Sequence, residues 1–210
     1  MKILAFTDIH GDLFALEEVR NKAKSADLAI CLGDLSYFEH DIEFLLEILN
    51  EFPVPVILLH GNHEMKENLD FFCSYLANIE FVHQNVVKKK GFNFIVYGGD
   101  GFSKVDSEFE KWGKSLENEL KFESSILLLH GPPFNTNLDV PFENTHSGNK
   151  SIRKFIEKTQ PLLVLCGHIH ENEGNEDWIG KTYIFNPGPF GTLIDLDYLK
   201  TLRINQDKKN

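Results

Sequence analysis

The sequence predicts an α/β fold in which two packed sheets are flanked by helices, and three observations lead there. Five short apolar runs, Ile3–Thr7, Leu28–Leu32, Val54–Leu59, Ile126–Leu129 and Leu162–Cys166, are each stopped by glycine and polar residues. Runs of that kind read as strands buried on both faces. Helix-period segments alternate with the first three, which implies a parallel sheet with right-handed crossovers. Further strand-like segments bring the total to roughly six to ten strands with helices outside, which reads as two sheets packed together.

The first helix spans Asp12–Ser25, where Leu13, Leu16, Val19 and Ala23 recur at helical spacing. Asp41–Glu51 repeats the pattern with Ile42, Leu45, Leu46 and Leu49, and Pro53 and Pro55 stop it. A third helix runs from about Lys66 to Ala77. Val86–Lys89 and Asn93–Tyr97 flank Gly91 and predict a hairpin. Ser107–Phe122 reads as a helix, and Lys150–Lys158 as an amphipathic one with Ile152, Phe155 and Ile156 on one face, ended near Pro161. Thr182–Phe185 and the alternating Thr192–Ile204 segment both read as strands. The glycine-rich Gly98-Gly99-Asp100-Gly101 lacks the following Lys-Ser/Thr of a nucleotide loop and is read as a turn.

With 210 residues, no linker and no repeat, the chain is read as one domain over residues 1–210 with a substantial core. A net charge of −11 argues against a general affinity for nucleic-acid backbones. It would also repel an anionic substrate, unless bound cations reverse the sign locally. Lys88-Lys89-Lys90 reads as a solvated hairpin turn rather than a binding strip. Cys31, Cys73 and Cys166 lie in apolar surroundings without a Cys-x-x-Cys pair, so they read as small buried hydrophobes of a reducing compartment. No apolar run approaches a membrane span, and the first strand starts at once. A cytoplasmic protein without a membrane partner is expected.

Each of the five apolar runs ends in residues that hold metals: Asp8-Ile9-His10, Gly33-Asp34, Gly61-Asn62-His63-Glu64, His130-Gly131 and Gly167-His168-Ile169-His170. Taken singly, each has a structural reading as a turn, a cap or a hydrogen-bonded surface histidine. Their shared position at the carboxyl ends of strands, where α/β sheets build their sites, favours one site. Mixed carboxylate, imidazole and carboxamide ligands suit Mn²⁺, Fe, Co, Ni or Zn²⁺ better than Ca²⁺ or Mg²⁺. The absence of thiolates argues against a structural zinc site.

The motifs Asp-x-His, Gly-Asp, Gly-Asn-His-(Asp/Glu), a lone His and Gly-His-x-His, in this order, resemble those of the calcineurin-like metallophosphoesterases. The resemblance runs from Asp8 to His170 and implies a four-layer α/β/β/α sandwich, two mixed sheets flanked by helices. It implies two divalent cations, Mn²⁺ first among them. Asp8, His10 and His170 would hold one, and Asn62, His130 and His168 the other. Asp34 would bridge the two. A water between the metals would then attack phosphorus in line. His63 would be the catalytic acid near the leaving oxygen. The chain departs from the family at Tyr37, where many members carry an Asp that orients and charges this histidine. Glu39, Asp41 and Glu64 are the candidates to replace it. Compact members with Gly-His-Ile-His-Glu and Asn-Pro-Gly-Pro point to a phosphodiesterase rather than a phosphatase, acting on a small, nucleotide-like ester. The rim Tyr37, Phe38, Phe102, Phe134 and Phe190 would suit a nucleoside or aryl group. Amides before the helix at Lys150 are candidate phosphate ligands, with His146 near the leaving group. Asn186-Pro187-Gly188-Pro189 is read as a structural turn. A non-catalytic scaffold on the same fold and a nuclease are the alternatives. The oligomeric state is not legible.

Overall fold

The computed structural model describes residues 1–99, 101–143 and 145–207. Asp100 of the glycine-rich stretch therefore lies outside the described residues. One sheet holds β1 (Lys2–Phe6), β2 (Leu28–Cys31), β3 (Val56–Leu58), β4 (Ile79–Phe81) and β11 (Thr192–Asp195). Its order is β11-β1-β2-β3-β4. The first four strands are parallel, and β11 lies antiparallel to β1 with Asp195 opposite Lys2. The second sheet comprises β5 (Asn85–Lys89), β6 (Phe92–Tyr97), β7 (Ser125–Leu129), β8 (Leu163–Leu165), β9 (Glu176–Ile179) and β10 (Thr182–Phe185). Its order is β5-β6-β7-β8-β10-β9, with β6, β7, β8 and β10 parallel and β5 and β9 antiparallel at the edges.

Alternation along the strands builds the layers, because successive side chains leave a strand on opposite faces. On β1, Leu4 and Phe6 pack with residues of α1 (Leu13–Ala23), α2 (Ile42–Asn50) and α3 (Lys66–Cys73). Ile3 and Ala5, between them, face the other way and join Phe94, Val96, Leu128 and Leu165 between the sheets. The opposite face of the second sheet carries Ile95, Leu127, Leu129 and Val164 against Phe109 of α4 (Ser107–Leu116) and Ile152, Phe155 and Ile156 of α5 (Lys150–Thr159). Two mixed sheets between helices make the expected four layers.

The structure departs from the sequence reading at three places. The segment Thr192–Ile204 is not one strand: after β11 the chain enters α6 (Leu196–Asp207). Asp195 is the signal that outweighs alternation there. Its Oδ1 accepts from the amides of Asp197 and Tyr198 at 3.1 and 3.2 Å, as a helix cap does. Leu196 and Leu199 then pack against the inter-sheet core. The helices at Ser107 and Lys66 end at Leu116 and Cys73, before the predicted Phe122 and Ala77. Finally, β4 and β9 lack an apolar run; pairing with β3 and β10 makes them strands.

The lysine hairpin is as predicted, with Lys89 paired to Glu80 at 3.1 Å and Lys90 to Asp27 at 2.7 Å. The three cysteines are free and buried. Burial pushes the Cys73 thiol up to about 12, so it stays protonated at neutral pH. Among the described residues, no helix is long and apolar enough to cross a membrane.

Candidate metal centre

Five strand ends from both sheets converge on one spot. Asp8 and His10 follow β1, Asp34 follows β2, and Asn62 and His63 follow β3; His130 follows β7, and His168 and His170 follow β8. All of these are ends of parallel strands. The paired residues of Asp8-x-His10 and His168-x-His170 do not converge through extended backbone. Instead Asp8, His10, Asp34 and His168 all sit in the left-handed region, at φ 55°, 48°, 51° and 70°. Residues without glycine's freedom hold such angles at a cost of about 1–3 kcal/mol each, which the surrounding structure must offset. Backbone bonds do so in part: the His10 amide donates to Asp34 O at 2.9 Å, and Asp8 N to Gly33 O at 3.1 Å.

Two glycines admit this approach. A Cβ on Gly61 would overlap the Asp34 carboxylate and come within 2.7 Å of His130 Cε1. A Cβ on Gly167 would overlap Thr7 Oγ1 and the Asp8 carboxylate. The Asn186-Pro187-Gly188 turn braces the same region from behind, since Gly188 O accepts from Thr7 N at 3.2 Å.

Ligand-type atoms face one another in overlapping groups. Asp8, His10 and His170 form one; Asp34, His130 and His168 form another; Asp34 also groups with His10 and His63. Within each group the atoms lie within 4.8 Å of one another. Asp34 Oδ2 is central, 3.8 Å from His10 Nε2, 3.4 Å from His130 Nε2 and 3.9 Å from His63 Nε2. Asn62 Oδ1 meets His130 Nε2 at 3.0 Å and His168 Nδ1 at 2.8 Å. His10 Nε2 and His170 Nε2 stand 3.0 Å apart.

This donor set fits cations on three grounds. Asp8 Oδ1 is buried without a hydrogen-bond partner, 3.7 Å from His170 Nε2 and 4.0 Å from His10 Nε2. A buried carboxylate oxygen left alone is costly, and a cation would satisfy it. Two imidazole nitrogens 3.0 Å apart need a proton or a cation between their lone pairs. Third, His130 Nδ1 donates to Leu32 O at 2.9 Å and His10 Nδ1 lies 3.3 Å from Ser36 O. Such outer bonds direct the Nε2 lone pairs inward, as metal-bound histidines require.

Electrostatics agree. Burial works against the Asp34 carboxylate, but the His130 ring and the His63 amide outweigh it and hold it below the usual carboxylate range. Burial likewise opposes charge on His130, and the Asp34 carboxylate outweighs it and holds the ring above its usual range. The site thus carries a fixed anionic centre among nitrogen donors.

His63 stands at the rim with its Nε2 towards Asp34. None of the three carboxylates offered by the sequence orients it. Glu39 accepts from Met65 N and Asn68 Nδ2, Asp41 pairs with His40 at 2.9 Å, and Glu64 accepts from the amides of Asp34, Ser36 and Gly61 and from Ser36 Oγ. The partner of His63 is the Phe38 amide, which donates to Nδ1 at 3.2 Å. The neutral ring therefore carries its proton on Nε2, pointing into the site. Tyr37 and Phe38 pack on the ring, at centroid distances of 5.0 and 4.2 Å.

The other sequence candidates make contacts of their own. The first amides of α5 are taken by Asn149, whose Oδ1 accepts from Ser151 N and Ile152 N. His146 pairs with Asp139 at 2.6 Å. Phe134 sits beside His146 and under Lys150, whereas Phe102 packs on His168 and Phe190 on Phe14. The hub role of Glu64 escapes sequence reasoning, although its place in the Gly-Asn-His-Glu motif is the available signal.

The family model for calcineurin-like phosphoesterases matches residues 1–172, most of the chain. This chain is a calcineurin-like phosphoesterase. A relative in this family, the uncharacterized protein MJ1162 of Methanocaldococcus jannaschii, is 32% identical over 200 residues, covering 90% of this chain and 88% of its own length. A Synechococcus protein bearing the name probable cyclic nucleotide phosphodiesterase is 27% identical over 161 residues, 71% of this chain and 60% of its own. The fold matches that of TT1561 of Thermus thermophilus with a TM-score of 0.73 at 22% identity, covering 94% and 95% of the two chains. The calcineurin-like phosphoesterases are metal-dependent phosphoric ester hydrolases, and this member has a cluster of His and Asp side chains that could hold metal.

A second histidine pair flanks the site. His83 Nδ1 lies 3.2 Å from His60 Nε2, and burial first, then the neighbouring His60 and Lys66, lower the His83 ring to about 4. Its unfolded value is about 6.5. As pH falls from about 6.5 towards 4, the unfolded chain binds a proton that the folded chain refuses, so stability drops across that window. Thermal melts of chelator-treated protein should therefore fall across the same window, and fall less steeply in His83→Gln. Equal slopes in the two proteins would contradict this.

Proposed function

We propose that this calcineurin-like phosphoesterase is a phosphodiesterase with a dinuclear centre, folded as one domain over residues 1–210. Asp8, His10 and His170 would hold one divalent cation, Asn62, His130 and His168 the other, and Asp34 would be shared by both. The observation that carries this is the place of Asp34 Oδ2, between His10 Nε2 at 3.8 Å and His130 Nε2 at 3.4 Å. Mn²⁺ suits the mixed oxygen and nitrogen donors, and Fe, Zn²⁺, Co and Ni suit them as well. Bound cations supply charge against the phosphoryl oxygens and make water more acidic.

The chain's own residues do the rest. Leu32 O and Ser36 O hold the rings of His130 and His10 in place. As an imidazolium, with Nδ1 released from the Phe38 amide, His63 would present Nε2–H to the leaving oxygen. As the oxygen of water bonds to phosphorus and the ester P–O bond breaks, that proton passes to the leaving alkoxide or aryloxide. The water's proton goes to solvent, and His63 is reprotonated there. General acid help of this kind is worth about 10²–10⁴-fold. The substrate is a small phosphate ester, and the net charge of −11 opposes a nucleic-acid backbone.

The test is to strip the protein with chelator, restore Mn²⁺, and compare bis-p-nitrophenyl phosphate with p-nitrophenyl phosphate. Metal-dependent cleavage that favours the diester is expected. Tight metal binding without turnover of either ester would instead support the scaffold reading.

A further inference from the structure

A pocket of about 520 Å³ opens beside His10, walled by Leu13, Tyr37, Phe38 and Phe44 and bordered by Asp41. Its volume is that of a small-molecule site. The four apolar walls are between 50% and 68% exposed, a grouping that a folded chain ordinarily buries or uses. The wall is held under strain: Phe38, Glu39 and Asp41 all have left-handed φ, at 50°, 61° and 53°. Glu39 ties it down, its carboxylate accepting from Met65 N at 2.9 Å and from Asn68 Nδ2, while its amide donates to Ser36 Oγ at 3.1 Å. Strain maintained by that many bonds marks a preset shape rather than a loose loop.

The pocket joins the metal centre at the side of the leaving oxygen. Phe38 and Tyr37, which wall it, also pack on His63, and Tyr37 stands 6.1 Å from His10. On the other side of His10, the space bounded by Asp8, His170 and Gly188 measures about 110 Å³, about a fifth of the larger pocket. The two sides of a bound ester are therefore unequal.

We propose that the larger pocket receives the leaving group and selects an uncharged, planar aromatic group of nucleobase size. The proposal rests on the phosphodiesterase reading above and names its substrate class. Aromatic walls favour stacking and edge-on contact with such a ring. Charge sets the other limit: no lysine or arginine is among the described residues lining the pocket, and Asp41 is. A leaving group with phosphates of its own would meet that carboxylate with only its partner His40, 2.9 Å away, and no lysine or arginine to offset it. Nucleosides and aryl alcohols fit; nucleoside polyphosphates do not.

Calorimetry on the Mn²⁺-loaded protein tests this with phenylphosphonate, methylphosphonate and inorganic phosphate. Phenylphosphonate should bind about tenfold more tightly than methylphosphonate, the return on burying one ring. In Phe44→Ala, which alters a half-exposed side chain, that preference should collapse while phosphate binding is unchanged. Leu13→Ala, at another half-exposed wall of the pocket, should behave alike. Intact phosphate binding with no phenyl preference, or a preference unaltered in both variants, would overturn the pocket assignment alone. So would p-carboxyphenylphosphonate binding as well as phenylphosphonate. Absence of phosphate binding in the loaded wild type would overturn the phosphodiesterase reading with it.

Discussion

Asp34→Asn is expected to lower Mn²⁺-dependent hydrolysis of bis-p-nitrophenyl phosphate about 10³-fold, a barrier increase of about 4 kcal/mol. Asp34 does three things at once. Its Oδ2 stands among three imidazoles, its Oδ1 accepts from the His63 amide at 2.9 Å, and its charge favours the cationic form of His130. Asparagine keeps the shape, so the variant should fold. It removes the charge and turns one acceptor into a donor facing nitrogen, which sets an amide hydrogen where a cation or imidazolium was stabilised. Metal content measured by atomic emission should fall below two ions per chain in the same variant. Activity within about threefold of wild type, with metal content unchanged, would remove Asp34 from the bridging position.

Glu64→Ala should cost stability rather than chemistry alone, about 3 kcal/mol in urea unfolding of the metal-free protein. The side chain is 6% exposed, and its carboxylate accepts at 2.9–3.2 Å from the amides of Asp34, Ser36 and Gly61 and from Ser36 Oγ. Truncation leaves three buried backbone donors without an acceptor, in the turns that carry Asp34 and Asn62. Burial, with Asp34 close by, pushes the Glu64 carboxyl up to about 6. The charge is thus costly, and the four donors are what keep it worthwhile. Glu64→Gln, which preserves one acceptor oxygen, should lose about half as much. A Glu64→Ala midpoint matching wild type would mean that water replaces the carboxylate.

Much of this was legible because ligand chemistry and strand ends coincide. Asp8, His10, Asp34, Asn62, His130, His168 and His170 each close an apolar run, and each comes to the common centre. What stayed hidden depends on contacts between distant segments. Phe38 N meets His63 through a left-handed turn, and no rule of spacing predicts that an amide replaces a carboxylate there. Glu64 gathers donors from two turns distant in sequence. Leu13, read at helical spacing with Leu16, Val19 and Ala23, is instead half exposed at the edge of the pocket. At Thr192–Ile204 a single capping aspartate outweighed an alternating pattern. Similarly, β4 and β9 owe their form to neighbours more than to their own residues.

The pairing of β11 with β1, Lys2 opposite Asp195, bears on how the molecule is made. β1 leaves the ribosome long before β11, which covers its outer edge, and β8 waits for β10 in the same way. Until then the nascent chain carries two open edges of apolar, β-prone backbone, the kind that pairs with strangers. Closure across the whole length of the chain is also slow, since distant ends must meet before their contacts reward them. Synthesis rate and shielding by chaperones therefore bear on the yield of this protein as directly as any residue at its centre.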